Sequence, residues 1–251
     1  MGMGFTSYAQ VFQTNNSHMD ELFKVDVTTM SEFRERFNQS IESTGGDNLP
    51  QLLSLFDRNS ETILSKQDLV RSFADNVLKS RKMIAFSDTS WFAEALCLIK
   101  YQGKQHDIQL ILKTEQVDGA IYRWAIVGAN GLKEAGIIKD AEFGYIEPID
   151  NELNFIDLDN RLQKDYKNAF GYQSADTSTN QLSILLYLIQ EHLLTIEFFD
   201  KIRYHFLTVP GYVFIVEQSN TPMNSGWLIS DISTITQDGK ELYKKALCGN
   251  Y

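Results

Sequence analysis

The side chains with most to offer chemically are two carboxylates and an imidazole. His106 opens a segment in phase with Ile108 and Leu110, so on a strand its ring shares their face. Asp88 or Asp231 could orient or polarise that imidazole, an arrangement that moves protons in general acid–base catalysis. Asp231 alternates with Trp227 and Ile229, a spacing that puts all three on one strand face. A carboxylate on an apolar face is a candidate base, because desolvation disfavours the charged form. Such a set supports proton abstraction without a cofactor, as in an isomerase or dehydratase. Each residue also has a plainer reading: a strand-end histidine bonded to a loop, and an aspartate placed by a strand bend. His205, among Tyr204, Phe206 and Leu207, fits either a satisfied core position or an outward one; His18 and His192 complete the histidines.

Trp91, Tyr101, Tyr122, Trp124 and Trp227 recur on strand-like segments and could line a pocket for a small apolar or carbohydrate-like ligand. Plain core packing is the alternative. Motifs that would name a cofactor are missing. Gly128-Ala129-Asn130-Gly131 lacks the glycine spacing of a dinucleotide loop, and Gly103-Lys104 and Gly239-Lys240 lack the rest of a phosphate loop. Glu191-His192 has no second histidine four residues on, so the zinc-protease pattern fails. Asp157-Leu158-Asp159-Asn160 begins like a calcium loop without its glycine or distant glutamate, which fits a solvated acidic helix start better. Neither a cofactor nor a metal is expected.

The elements that must position these residues come from a chain of 251 residues, with 43% hydrophobic and 12% aromatic content, enough for a substantial core. A net charge of −10 argues against nucleic acid, since the visible basic clusters, at 79–82 and 244–245, are too small to make a phosphate-binding face. Two cysteines exclude a disulfide scaffold. The apolar stretch Leu182–Phe199 is interrupted by Gln190, Glu191, His192 and Glu197, so no transmembrane segment is expected there, and a buried helix fits it better. That helix would either plug a concave sheet or sit in an interface. Residues 1–28 read as a tail. Ser7 and Ala9 stand at positions −3 and −1 of a cleavage before Gln10, which would make the start a signal-peptide remnant and the protein periplasmic or secreted; read literally, the start is cytoplasmic.

Helices come first. Thr29-x-x-Glu32 is a capping box ahead of Met30, Phe33, Phe37 and Ile41, and Thr44-Gly45-Gly46 ends that helix. Asn48 caps a short second helix, and Ser65-x-x-Asp68 caps a third bearing Leu69, Val70, Phe73, Ala74, Val77 and Leu78. After Met83 the period becomes two. Trp91–Tyr101, His106–Glu115 and a strand through Tyr122, Trp124 and Ile126 are joined by short turns as an antiparallel meander. Helical character returns near Leu158–Ala169 and from Asn180 to Asp200, and strands resume at Ile202–Val209, Tyr212–Gln218 and Trp227–Ile235. The class is α+β: N-terminal helices packed on a curved antiparallel sheet of about six strands, with a helical insertion between the third and fourth. The expected organisation is one domain over 29–235 with the insertion at 130–200, followed by a tail at 236–251.

This order of elements resembles the nuclear transport factor 2-like (cystatin-like) superfamily. The resemblance rests on the helix near 66–82 leading into Trp91–Tyr101, on Tyr122–Val127, and on the closing run Gly226–Ile232. It implies a cone with a pocket between sheet and helices, and often a homodimer. The superfamily holds isomerases, dehydratases and non-catalytic binders, so the fold alone assigns no chemistry. Missing catalytic motifs with a competent core favour a non-catalytic protein that binds a protein partner or a small ligand. The alternative is the cofactor-free isomerase or dehydratase built on a pocket carboxylate and His106.

Overall fold

Met30, Phe33, Phe37 and Ile41 recur three and four apart, and all four are buried along helix α1, residues 30–42. The computed structural model describes residues 30–42, 48–85, 87, 88, 90–118, 121–138, 180–220 and 225–249. Thr29, the 44–46 stop, His18, the segment before Gln10, the 157–160 run and the helix expected near Leu158–Ala169 lie outside them. Then come α2 (Asn48–Leu53), α3 (Glu61–Ser65) and α4 (Gln67–Ser80), followed by β1 (Trp91–Tyr101), β2 (Lys104–Asp118) and β3 (Ile121–Asn130). Helix α5 (Gln181–Gln190) precedes β4 (Leu194–Phe206), β5 (Tyr212–Asn220) and β6 (Ser225–Thr234), and α6 (Gln237–Leu247) closes the order. The fold is α+β, with one six-stranded antiparallel sheet ordered β3-β2-β1-β4-β5-β6. Three strands and a helix thus occur twice along the chain, and strand order runs outward from β1 and β4.

Local chemistry explains the boundaries. Ser60, not Ser65, is a cap: its hydroxyl accepts from the Ile63 amide at the start of α3, whereas the Ser65 hydroxyl donates to the Thr62 carbonyl. The β1–β2 turn has positive φ at both Gln102 (49°) and Gly103 (78°), the combination a two-residue type I′ hairpin demands. Gly128 is fixed by close approach, since a Cβ there would lie 2.6 Å from the Cys248 carbonyl oxygen.

The single long helix expected over Leu182–Phe199 is two elements. Helix α5 ends at Gln190, and β4 begins at Leu194. The stop is a Schellman motif: the Leu193 amide donates to the Leu188 carbonyl, the His192 amide donates to the Ile189 carbonyl, and His192 adopts φ 57°. The apolar periodicity of a helix and of a strand coincide over so short a run, and the glycine that usually marks such a stop is absent. Because a left-handed conformation strains a side-chain-bearing residue, His192→Gly is expected to raise stability by about 0.5–1 kcal/mol in urea titration.

The chain divides into two compact units: Met1–Glu94, Lys113–Trp124 and Ile202–Lys240 form the first, and Ala95–Leu112, Ala125–Lys201 and Glu241–Tyr251 the second. The core of the first is a continuous aromatic stack. Phe37 and Phe206 each stack on Phe214, at 6.0 and 5.0 Å between ring centroids, and Phe73 meets Phe214 edge-on at 5.3 Å. Phe33 bridges Phe37 and Phe206. In the second, Cys97 and Ile99 are buried with Ile108, Leu110, Leu185, Leu188 and Leu194.

Within the first unit, strand β6 stands at a sheet edge, and the α2–α4 segment blunts it. Phe56 makes a parallel bridge to Ile229, the Ile229 amide donates to Leu55, and the Asp57 amide donates to Ile229. The Ser60 hydroxyl then donates to the Ser230 carbonyl, and Lys66 to Asp231 and the Ile232 carbonyl. These bonds occupy backbone groups that would otherwise template pairing with another strand. Residues 237–247, expected as part of a tail, are helix α6, and the Thr236 hydroxyl caps it by accepting from the Gly239 amide.

Candidate functional site

Asp231 does not share a face with Ile229. The β5–β6 register shifts between Ile215 and Val216: Ile215 pairs with Asp231 and Val216 with Ile229, leaving Ser230 as an extra residue. That bulge reverses the alternation, so Ile229 and Ile232 are both buried, opposite Val216 and Phe214, while Asp231 turns the other way. Its carboxylate sits 2.7 Å from Lys66 Nζ, with both side chains about a third exposed (38% and 32%). One-letter alternation carries no mark of a bulge. The expectation of a base on an apolar face is corrected accordingly. Half-exposed ion pairs contribute little, so Asp231→Asn is expected to cost under about 1 kcal/mol by thermal or urea unfolding.

Asp88 accepts from the amide and hydroxyl of Ser90, at 3.0 and 2.5 Å, which makes it a turn-former at the entry to β1. His106 lies near the start of β2, partly exposed, in the second unit, whereas Asp88 and Asp231 belong to the first. Each carboxylate therefore has a partner other than the imidazole expected for it.

The aromatic candidates separate too. Trp91, 4% exposed, meets Trp124 edge-on at 5.3 Å and stacks on Phe206 at 5.8 Å. Tyr204 lies 5.9 Å from Trp91 and 5.0 Å from Trp227, so Trp124, Trp91, Tyr204 and Trp227 form one chain of rings. Tyr122 is partly exposed on β3. Tyr101, in the second unit, accepts at its hydroxyl from Gln102 at the hairpin. A small apolar cavity does touch Trp91 and Phe206, walled by Met30, Ile84 and Ala85 with Arg34 at its lining. For the centre of a water-sized sphere it measures about 20 Å³, room for a water or two.

The most concentrated chemistry in the first unit is elsewhere. His205, 5% exposed at its side chain, places Nε2 2.8 Å from Glu94 Oε2, and Glu94 is itself only 11% exposed. Arg203 donates through Nε to Glu217 at 2.6 Å and has a terminal nitrogen 4.0 Å from Glu94. The hydrogen bond from His205 holds the Glu94 carboxyl below its ordinary range; burial opposes this, and the charges of His205 and Arg203 reinforce it. These side chains occupy the strand positions between the inward aromatics: Glu94 is out of phase with Trp91 and Ala95, and Arg203 and His205 flank Tyr204. The i, i+2 pair of basic side chains on β4 is a readable signal, but its partners come from β1 and β5, which only strand order brings alongside. A buried lysine, Lys240 on α6, donates from Nζ to the carbonyls of Leu207 and Val209.

Cys97 is inert in this setting, since burial pushes its thiol up to about 12. Among the described residues no group of three His, Cys, Asp or Glu side chains could hold a metal ion, and no helix is long and apolar enough to cross a membrane. In comparison with known proteins, the chain matches no protein-family model, no curated protein and no solved structure.

Proposed function

We propose that this chain is a non-catalytic binding or interaction protein with a nuclear transport factor 2-like core. One observation carries the reading: the two carboxylates that could have formed a proton-transfer site are engaged elsewhere, Asp231 by Lys66 and Asp88 by Ser90, while Trp91, Trp124 and Trp227 pack in one ring chain. The Glu94–His205 dyad offers no substitute, because its imidazole is almost wholly enclosed and lies out of phase with Phe206, which lines the cavity. N-terminal helices against an antiparallel sheet support the family part of the reading. Exposed apolar side chains in the second unit, Leu186, Tyr187, Leu193 and Phe198, between 46 and 59% exposed, favour a macromolecular partner over a small enclosed ligand.

The test pairs a thermal-shift screen of small apolar and carbohydrate ligands with affinity capture by the immobilised full chain. A partner whose capture is lost in Leu186→Ser/Tyr187→Ser, a change that should leave the folded fraction intact, supports the reading. Turnover of a carbonyl or hydroxy substrate that disappears in Asp231→Asn or His106→Gln overturns it in favour of an isomerase or dehydratase.

A further inference from the structure

Three cations stand around the C-terminal end of α4 in the first unit: Lys79, Arg81 and Lys82, all exposed. Among the described residues none of them enters an ion pair, although the molecule carries a net charge of −10. One cation in the last turn already complements a helix dipole, whose field fades beyond it. Arg81 and Lys82 lie past that turn, and Arg81 takes the left-handed position, φ 50°, that glycine usually fills. The chain then runs into the apolar cavity. Ile84 and Ala85 line it, together with Ser31 and Arg34 of α1 and with Trp91 and Phe206. Lys82 is two residues from Ile84, so their Cα atoms are within about 7.6 Å. Asn38 of α1 holds this segment from both sides, donating to the Ile84 carbonyl at 3.0 Å and accepting from the Ile84 amide at 2.9 Å. Ala85 and Met83 are exposed, so the cavity reaches the surface beside the cations.

We propose that this corner docks an acidic segment of a partner protein, with carboxylates against Lys79, Arg81 and Lys82 and one small aliphatic side chain in the cavity. The proposal rests on the reading of the chain as an interaction protein and gives it a surface separate from that of the second unit. Cations without partners attract carboxylates, and an apolar hollow with room for a water or two offers water no bonds but accepts the tip of a valine. Screening decides between anionic occupants. Beyond about 8 Å, charges fade at physiological salt, so a short acidic segment meets only the local cations. An anionic membrane or a duplex is broad enough to meet the acidic remainder of the surface as well. Exposed ion pairs are individually weak, so the binding is modest in strength and sensitive to salt. The two-sided hold of Asn38 on Ile84 keeps the mouth of the cavity in shape before the segment arrives.

The probe is a fluorescently labelled peptide of aspartates and glutamates around a single valine, beside a counterpart with glycine in that place. Anisotropy with the full chain should show binding of the valine peptide that weakens as salt rises. Glycine in place of valine should cost about fivefold in affinity, and Lys79→Glu/Lys82→Glu about tenfold. Both substituted lysines are exposed and unpaired, so the fold is not at stake. Ala85→Phe fills the mouth and keeps every charge, and it should bind the two peptides alike. No binding, unchanged affinity in the charge-reversed variant, or equal affinity of the wild type for both peptides overturns the proposal. So does binding of phosphatidylserine vesicles in place of the peptide, or a dimer that the same reversal abolishes, since either gives the cations another occupant. Leu186→Ser/Tyr187→Ser should bind the valine peptide as the wild type does. Failure of the peptide leaves capture through Leu186 and Tyr187 standing, so the two readings fall separately.

Discussion

Replacing Trp91 with alanine is expected to cost the fold about 3–5 kcal/mol, the range for removing a large aromatic from a packed core. The ring is 4% exposed and touches three others, Trp124, Tyr204 and Phe206, at 5.3, 5.9 and 5.8 Å. Its indole links the Trp124 end of the ring chain to the Phe206–Phe214–Phe37 stack, so truncation leaves a void with walls on several elements. Those walls are aromatic and held by their own neighbours, which limits how far they can collapse into the space. Urea unfolding should show a lower midpoint with an unchanged slope, since the surface exposed on unfolding hardly alters. A change under about 1 kcal/mol would return Trp91 to the role of a pocket-lining residue. Trp124→Ala should cost less, because Trp124 is only half-buried.

Lys240→Met should destabilise by about 2–4 kcal/mol although it replaces a charge with an apolar chain of similar length. Lys240 is 6% exposed, and its ammonium donates to the carbonyls of Leu207 and Val209 just past the end of β4, where the Val209 oxygen also accepts from the Tyr212 amide. Methionine can fill the volume but donates nothing, so both oxygens lose a charge-assisted bond while remaining out of water. The penalty is that of an unsatisfied acceptor at Leu207, about 1–3 kcal/mol before relaxation, together with the lost charge-assisted bond at Val209, whose oxygen keeps the Tyr212 amide. Equilibrium unfolding of Lys240→Met beside Lys240→Gln separates the causes: glutamine should recover part of the loss if a donor is what the carbonyls need, and none of it if the charge is. Stability of Lys240→Met within about 0.5 kcal/mol of wild type would show that water reaches these carbonyls.

Helix α1, helix α4, the β1–β3 meander and the β4–β6 return were all legible in periodicity, because burial of one face imposes it directly. Met30, Phe33, Phe37 and Ile41 are the clearest case, spaced as a helix requires and buried as expected. Of the features that were not legible, two have identifiable reasons. The Ser230 bulge shifts one strand by a single residue, which turns Asp231 away from Ile229 without altering the composition of the strand. The α5 stop relies on His192 in a conformation where glycine is the usual signal, so the apolar run read through it.

Sequence alone determined the α+β class, most of the succession of helices and strands (the start of β4 and helix α6 excepted), and the absence of a motif that would bind a nucleotide or phosphate. Those properties follow from local spacing and residue type, which any stretch of chain carries with it. Tertiary structure decided which charges meet. Glu94 and His205 are 111 residues apart, Lys66 and Asp231 are 165 apart, and Lys240 lies 31 residues from Val209. No local rule pairs them; the order β1-β4-β5 and the path of the chain along β6 do. An ion pair or a buried ammonium depends on distance and on exclusion of water, and both quantities exist only once the strands lie side by side.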